Sequence, residues 1–124
     1  LKNTDLAIAL FEAIAKGDAE GIRSCCTADF EGRQNGGVAM NISQLSDFAL
    51  AVHQIVDGLR YEDIVRSETS TGFVEEHSVR GTLPDGSSME LTVCVVAEVL
   101  DFKVRAIREY YDVSPAAGLV NALS

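Results

Sequence analysis

The 124-residue chain carries 19 acidic side chains against 10 Lys and Arg, a formal charge of −9, with 47% hydrophobic and 23% charged residues. Length and composition fit one globular domain over residues 1–124 with a single core, and the order of its elements, helices and then a run of strands, makes it α+β. The acidity argues against nucleic acid and anionic membranes as partners, because phosphate repels such a surface and no Lys/Arg cluster offsets it; no run approaches the roughly 20 apolar residues of a membrane span.

The opening "LKNTDLAIALFEAIAKGD" does not read as a signal peptide, since Asp5, Glu12 and Lys16 interrupt its apolar residues. It reads as a helix over residues 4–16, with Ala7, Leu10, Phe11 and Ile14 on one face, Thr4 as cap and Gly17 as stop. Asp18 caps a second, shorter helix ending near Thr27. Ile22, Cys25 and Cys26 fall at i, i+3, i+4 on its apolar face, so the adjacent cysteines read as core rather than as a metal or redox pair. With Cys94 the cysteines number three, an odd count without regular spacing, which speaks against a disulfide framework and for a reduced cytoplasm.

Residues 29–37, "DFEGRQNGG", read as a short strand running into a glycine turn. Asn41 and Gln44 have capping-box spacing at the start of a third helix, whose stripe is Leu45, Phe48, Ala49, Val52 and Val56, with His53 flanking it. After Gly58 the period falls to about 2, giving four strands at about 59–69, 72–83, 87–100 and 103–112. "TGF" and "PDG" mark the first two turns, the link at Leu100–Asp101–Phe102 is tight without glycine, and Pro115 ends the last strand. The tail "AAGLVNALS" is apolar enough to dock. In "LTVCVVAEVL", residues 91–100, both faces are apolar, Cys94 and Val96 on the second. The helices cover one face; covering the other calls for a second subunit, so a homodimer through the convex side of the sheet is expected.

The order helix, helix, strand, helix, four long strands, with "FEAIAKGDAEGIRSCCTADF", "VRGTLPDGSSMEL" and "KVRAIREYYD", resembles the NTF2-like superfamily from about Leu6 to Asp112. It is most similar to SnoaL-like, limonene-epoxide-hydrolase-like and ketosteroid-isomerase-like members. The resemblance implies a cone-shaped barrel of three N-terminal helices on a strongly curved antiparallel sheet, a deep, mostly apolar pocket for a small apolar molecule, and a sheet-mediated dimer. Fold alone does not fix the activity.

Laid on the epoxide-hydrolase pattern, Glu76, Ser78 and Arg80 turn toward the pocket, together with Leu91, Val93, Val95, Ile107, Glu109 and Tyr111. Glu75, His77 and Val79 then face the convex side, and a register shift of one residue would exchange the two sets. Glu109 stands where that pattern has a catalytic carboxylate; desolvation beside Ile107 and Tyr111 would raise its pKa and make it an acid or base near neutrality. The remaining pattern is broken: Glu76 and Ser78 replace an arginine and an aspartate. At the position of the ketosteroid-isomerase base stands Gln34, its second aspartate falls near Leu91, and the SnoaL-type "HWD" run corresponds to "IRE" at 107–109, where only the carboxylate survives, as Glu109. His77 pairs with Glu75 at i, i+2, which can tune an imidazole. No ligand spacing for a metal and no phosphate-cradling loop is visible.

Two functions follow as expectations. One is a cofactor-free isomerase, cyclase or hydratase on a small cyclic apolar substrate, with Glu109 as acid/base and Tyr111 and Gln34 as hydrogen-bonding groups. The other is a non-catalytic dimeric module that binds a ligand or a protein.

Overall fold

A computed structural model describes residues 2–124. The elements are α1 (Asn3–Lys16), α2 (Ala19–Cys25), β1 (Cys26–Gln34), α3 (Ile42–Ile55), β2 (Asp57–Glu68), β3 (Gly72–Thr82), β4 (Ser88–Leu100), β5 (Lys103–Tyr111), a 3₁₀ turn (Ser114–Ala116) and α4 (Ala117–Leu123). Local chemistry sets most of these boundaries. Gly17 ends α1 in the left-handed region at φ 64°, and Asp18 caps α2 by accepting from Gly21 N at 3.0 Å. Asn41 and Gln44 exchange reciprocal bonds of 2.9 Å at the start of α3. Thr4 is not the cap of α1: the helix starts at Asn3, Asp5 accepts from Lys2 N at 2.9 Å, and the Thr4 N–H bonds Glu68 Oε1 at 2.8 Å. Among the described residues no helix is long and apolar enough to cross a membrane.

The strands form one sheet in the order β1-β5-β4-β3-β2. It is mixed rather than antiparallel, because β1 runs parallel to β5, and it does not close. α1 packs against β2 and β3, and α2 and α3 against β1, so the helices lie on one side of the sheet. Leu10, Ile22, Phe30, Phe73, Val95, Val104 and Ile107 are the sealed centre of the core. The apolar tail forms α4, a fourth helix beyond the three expected, with Ala116 and Leu119 buried.

β3 and β4 pair without a bulge from Gly72↔Glu98 to Thr82↔Ser88. Residues facing each other across a ladder share a side of the sheet. Glu75, His77 and Val79 therefore lie beside Val95, Val93 and Leu91 on the inner side, and Glu76, Ser78 and Arg80 lie on the outer side. This reverses the side expected for that strand. The physical reason is the connection: residues 83–87 are an odd number, so odd-numbered residues of β3 face odd-numbered residues of β4.

Two further details differ from the sequence reading. α2 stops at Cys25, and Cys26 opens β1; both thiols are buried. Burial, with Cys25 adjacent, pushes the Cys26 thiol up to about 12, and burial also raises Cys25, so neither is a ready thiolate. At the tight β4–β5 link, Asp101 and Phe102 take φ of 51° and 58°, the left-handed pair that matches strand twist.

Gly72 opens β3 with its backbone against β4; an added Cβ would sit 2.0 Å from the Ala97 carbonyl oxygen. Gly72→Ala is expected to lower stability by about 1–3 kcal/mol through overpacking, read as a reduced urea midpoint. An unchanged midpoint would mean that the strands separate there without penalty.

Candidate functional site

The inner side of the sheet, α1, α3 and α4 enclose a cavity of about 130 Å³. Leu91, Val93, Val79, Phe11, Phe48 and Leu119 supply apolar wall, and Gln34, Tyr61, His77, Glu109 and Tyr111 supply the polar groups. A second lobe of about 60 Å³ lies behind Gln34, Phe48, Val52, Tyr61 and Glu109. An apolar cavity of roughly 150 Å³ takes one benzene ring, whereas drug-sized ligands occupy about 300–1,000 Å³. The space therefore fits a one-ring molecule. α4 closes the cavity on one side, through Leu119, Val120 and Leu123.

Glu109 is brought to this wall by β5, opposite Val95 of β4 and Gln34 of β1. It is half-buried, and burial alone pushes its carboxyl up to about 7, with no cation and no hydrogen bond holding it down. Such a carboxyl exists in both protonation states near neutrality and can give or take a proton. Beside it the Tyr111 hydroxyl donates to Gln34 Oε1 at 3.0 Å, and Asn35 Oδ1 accepts from Tyr111 N at 3.0 Å. Burial and then the Glu109 charge raise the Tyr111 hydroxyl, and burial, Glu109 and Glu75 raise that of Tyr61. Both phenols remain neutral donors.

On β3, Glu75 is fully buried, with one carboxylate oxygen on the Arg66 guanidinium and the other 2.6 Å from His77 Nδ1. His77 is packed against Phe11 and Tyr61, with ring centroids 5.1 and 4.5 Å away. Arg66 reaches this side of the sheet because β2 carries a bulge between Glu62 and Val65, where Asp63 adopts φ 54°. Without the extra residue, Val65 would face Glu75. Arg80 on the outer side holds the bulge by bonding Asp63 at 2.9 Å, with Glu62 and Glu90 also in reach.

Of the residues singled out in the sequence, Gln34, Leu91, Val93, Glu109 and Tyr111 meet at the cavity. Val95 and Ile107 share its side of the sheet but lie in the sealed core rather than in the cavity wall. Glu76, Ser78 and Arg80 are outside it: Glu76 is exposed, Ser78 is buried on the outer side, and Arg80 is bound by carboxylates. In their place stand His77, in the wall, and Glu75 behind it. His53 is exposed and bonds the Ala15 carbonyl at 3.0 Å. Tyr61, Phe11 and the α4 residues were not singled out as site residues; Tyr61 follows once Val79 is known to face inward, because the two are directly paired. Among the described residues no three His, Cys, Asp or Glu side chains are grouped to hold a metal ion.

No family model matches the sequence, and no curated protein matches it. Solved structures do match. A candidate polyketide cyclase from Xanthomonas campestris pv. campestris superposes with a TM-score of 0.80 at 19% identity, over 98% of this chain and 96% of that one. An LEH-like epoxide hydrolase of M. tuberculosis gives 0.77 at 18% identity, over 98% and 91%. An NTF2-like protein from Burkholderia xenovorans gives 0.74 at 19% identity, over 98% and 95%. The chain has the NTF2-like fold, so the sequence resemblance holds at the level of fold.

The Glu109 environment sets a pH dependence of stability. Its carboxyl rises from 4.5 unfolded to about 7 folded, so between those values the native state binds more protons than the unfolded chain. Stability then falls as pH rises through that window. The loss approaches about 3 kcal/mol at most, and water reaching the cavity reduces it. Glu109→Gln is expected to gain about 1–3 kcal/mol on the wild type at pH about 8 and nothing at pH about 4, read by denaturant titration. A difference that does not change with pH would place Glu109 in water.

Proposed function

We propose that the protein is a cofactor-free acid/base catalyst of the isomerase, cyclase or hydratase type, acting on a small, mostly apolar, one-ring substrate, with Glu109 as the proton-transfer group. The observation that carries this reading is a carboxyl with no partner, raised toward neutrality, in the wall of a mostly apolar cavity. A carboxylate present only for structure is expected to be paired, as Glu75 is. Tyr61 and the amide N–H of Gln34, whose Oε1 accepts from Tyr111, are neutral donors suited to hold a substrate oxygen on which charge develops. The structural likeness to proteins described as a polyketide cyclase and an epoxide hydrolase is consistent with this class.

The outer face of the sheet supports self-association. Val74, Cys94 and Val96 are half-buried and Tyr110 is 47% exposed, forming an apolar strip across β3, β4 and β5. Glu76 flanks it on β3 and Arg108 on β5, opposite charges on opposite sides, a self-complementary arrangement suited to a two-fold contact. Light scattering at micromolar concentration is expected to show a dimer, and Val96→Glu a monomer. A monomeric wild type would remove this part of the proposal.

Thermal-shift screening with one-ring terpenoid-like and polyketide-like ligands tests the pocket. A ligand at about 100 times its dissociation constant adds roughly 2.7 kcal/mol, a shift of several degrees. For a ligand that is converted, Glu109→Gln is expected to lower turnover by about 10²–10⁴-fold. Undiminished turnover in that variant would remove Glu109 from the mechanism. Ligands that bind and are never converted would favour a binding module.

A further inference from the structure

The cavity holds a second group suited to proton transfer, two strands away from Glu109. His77 on β3 and Glu109 on β5 flank β4, opposite Val93 and Val95 respectively. Adjacent strands are about 4.8 Å apart, so the two backbones stand roughly 10 Å apart across the sheet. Both side chains rise from the same side of the sheet and line the same cavity.

The hydrogen bonding of His77 orients its ring. Glu75 is an acceptor only, so the Nδ1 that lies 2.6 Å from its carboxylate carries a proton. Arg66 takes the other oxygen of Glu75, which leaves Nε2 as the ring nitrogen with no carboxylate beside it. Nε2 has no hydrogen-bond partner among the described residues, yet it is not one of the buried atoms sealed without one. It opens on the cavity that His77 lines. A neutral imidazole with Nδ1–H fixed by a carboxylate and a free Nε2 is a general base.

The geometry points to His77 as a second catalytic acid/base working opposite Glu109, with Glu75 and Arg66 as positioning residues, on a one-ring substrate that loses a proton at one atom and gains one at another. The inference rests on the acid/base reading of the cavity and deepens it. Nε2 takes a proton from one atom of the ring, breaking that bond to hydrogen and forming N–H. The freed electron pair moves through the ring's conjugated bonds to a second atom. There the neutral Glu109 carboxyl delivers its proton, breaking its O–H and forming the new bond to hydrogen. The substrate leaves as its tautomer, and one proton passing from Nε2 to the Glu109 carboxylate through solvent restores both groups. No other reactant is consumed.

Nitrogen-15 NMR of the labelled wild type, with phenol as a one-ring probe carrying one O–H donor, tests this without requiring turnover. The chain has two histidines, and His53→Gln assigns the signals of His77. The expected result is an unprotonated Nε2 and a protonated Nδ1 at His77, with phenol moving the Nε2 signal upfield by several ppm and leaving His53 unchanged. Glu75→Gln is expected to mix the two tautomers if it folds. A proton resting on Nε2, or an Nε2 signal unmoved at the highest soluble phenol concentration, would overturn the inference. Glu109→Gln should leave the Nε2 response to phenol intact. A lost role for Glu109 with that response retained would count against the proposed function alone, and a lost response with Glu109-dependent turnover retained would count against His77 alone.

Discussion

The buried carboxylate of Glu75 constrains the whole inner side of the sheet. An unpaired charge there would cost several kcal/mol, and the fold meets that cost with Arg66 on one oxygen and His77 on the other. Arg66 reaches Glu75 only because the bulge at Asp63 adds one residue to β2. The bulge in turn is tied down from the opposite side of the sheet by Arg80. The register of β2, β3 and β4 is thus fixed by charge as well as by the Leu91, Val93, Val95 stripe. A slip of one residue would carry Glu75 and His77 outward and bury Glu76 with no partner.

The two inner carboxylates are treated in opposite ways. Glu75 is sealed, with Arg66 on one oxygen and His77 on the other. Glu109 has no partner and borders open cavity space, so its environment favours the proton. Acid and base assignments in enzymes commonly arise from such divergent environments.

Much of this was legible in the sequence because it rests on local chemistry. The stop at Gly17, the cap at Asp18 and the Asn41–Gln44 box each fix a boundary through a named backbone requirement, whereas α3 ends at Ile55 and β2 starts at Asp57, ahead of the expected stop at Gly58. The inward sides of β4 and β5, with Glu109 and Tyr111, came from the resemblance to the epoxide-hydrolase pattern, because both faces of β4 are apolar and its own pattern does not choose between them. The side of β3 did not follow, because Glu75, His77 and Val79 on one face and Glu76, Ser78 and Arg80 on the other are both largely polar and no hydrophobic pattern decides between them. Only the pairing across the 83–87 loop does. The parallel pairing of β1 with β5 and the bulge at Asp63 are likewise non-local, and Asp63 carries none of the glycine signal that marks a left-handed residue. With β3 turned, the inner side offers Glu75 and His77, a charge set different from the arginine–aspartate pair of epoxide-hydrolase-like proteins.

The central claim is that Glu109 is an unpaired carboxyl poised near neutrality inside an apolar cavity. The most direct measurement is a carbon-13 NMR titration of the glutamate side-chain carboxyls, with the Glu109 signal assigned by its loss in Glu109→Gln. The account predicts a midpoint near the value of about 7 set by burial. A midpoint at the ordinary glutamate value of about 4.3 would show a solvated carboxylate and contradict the account.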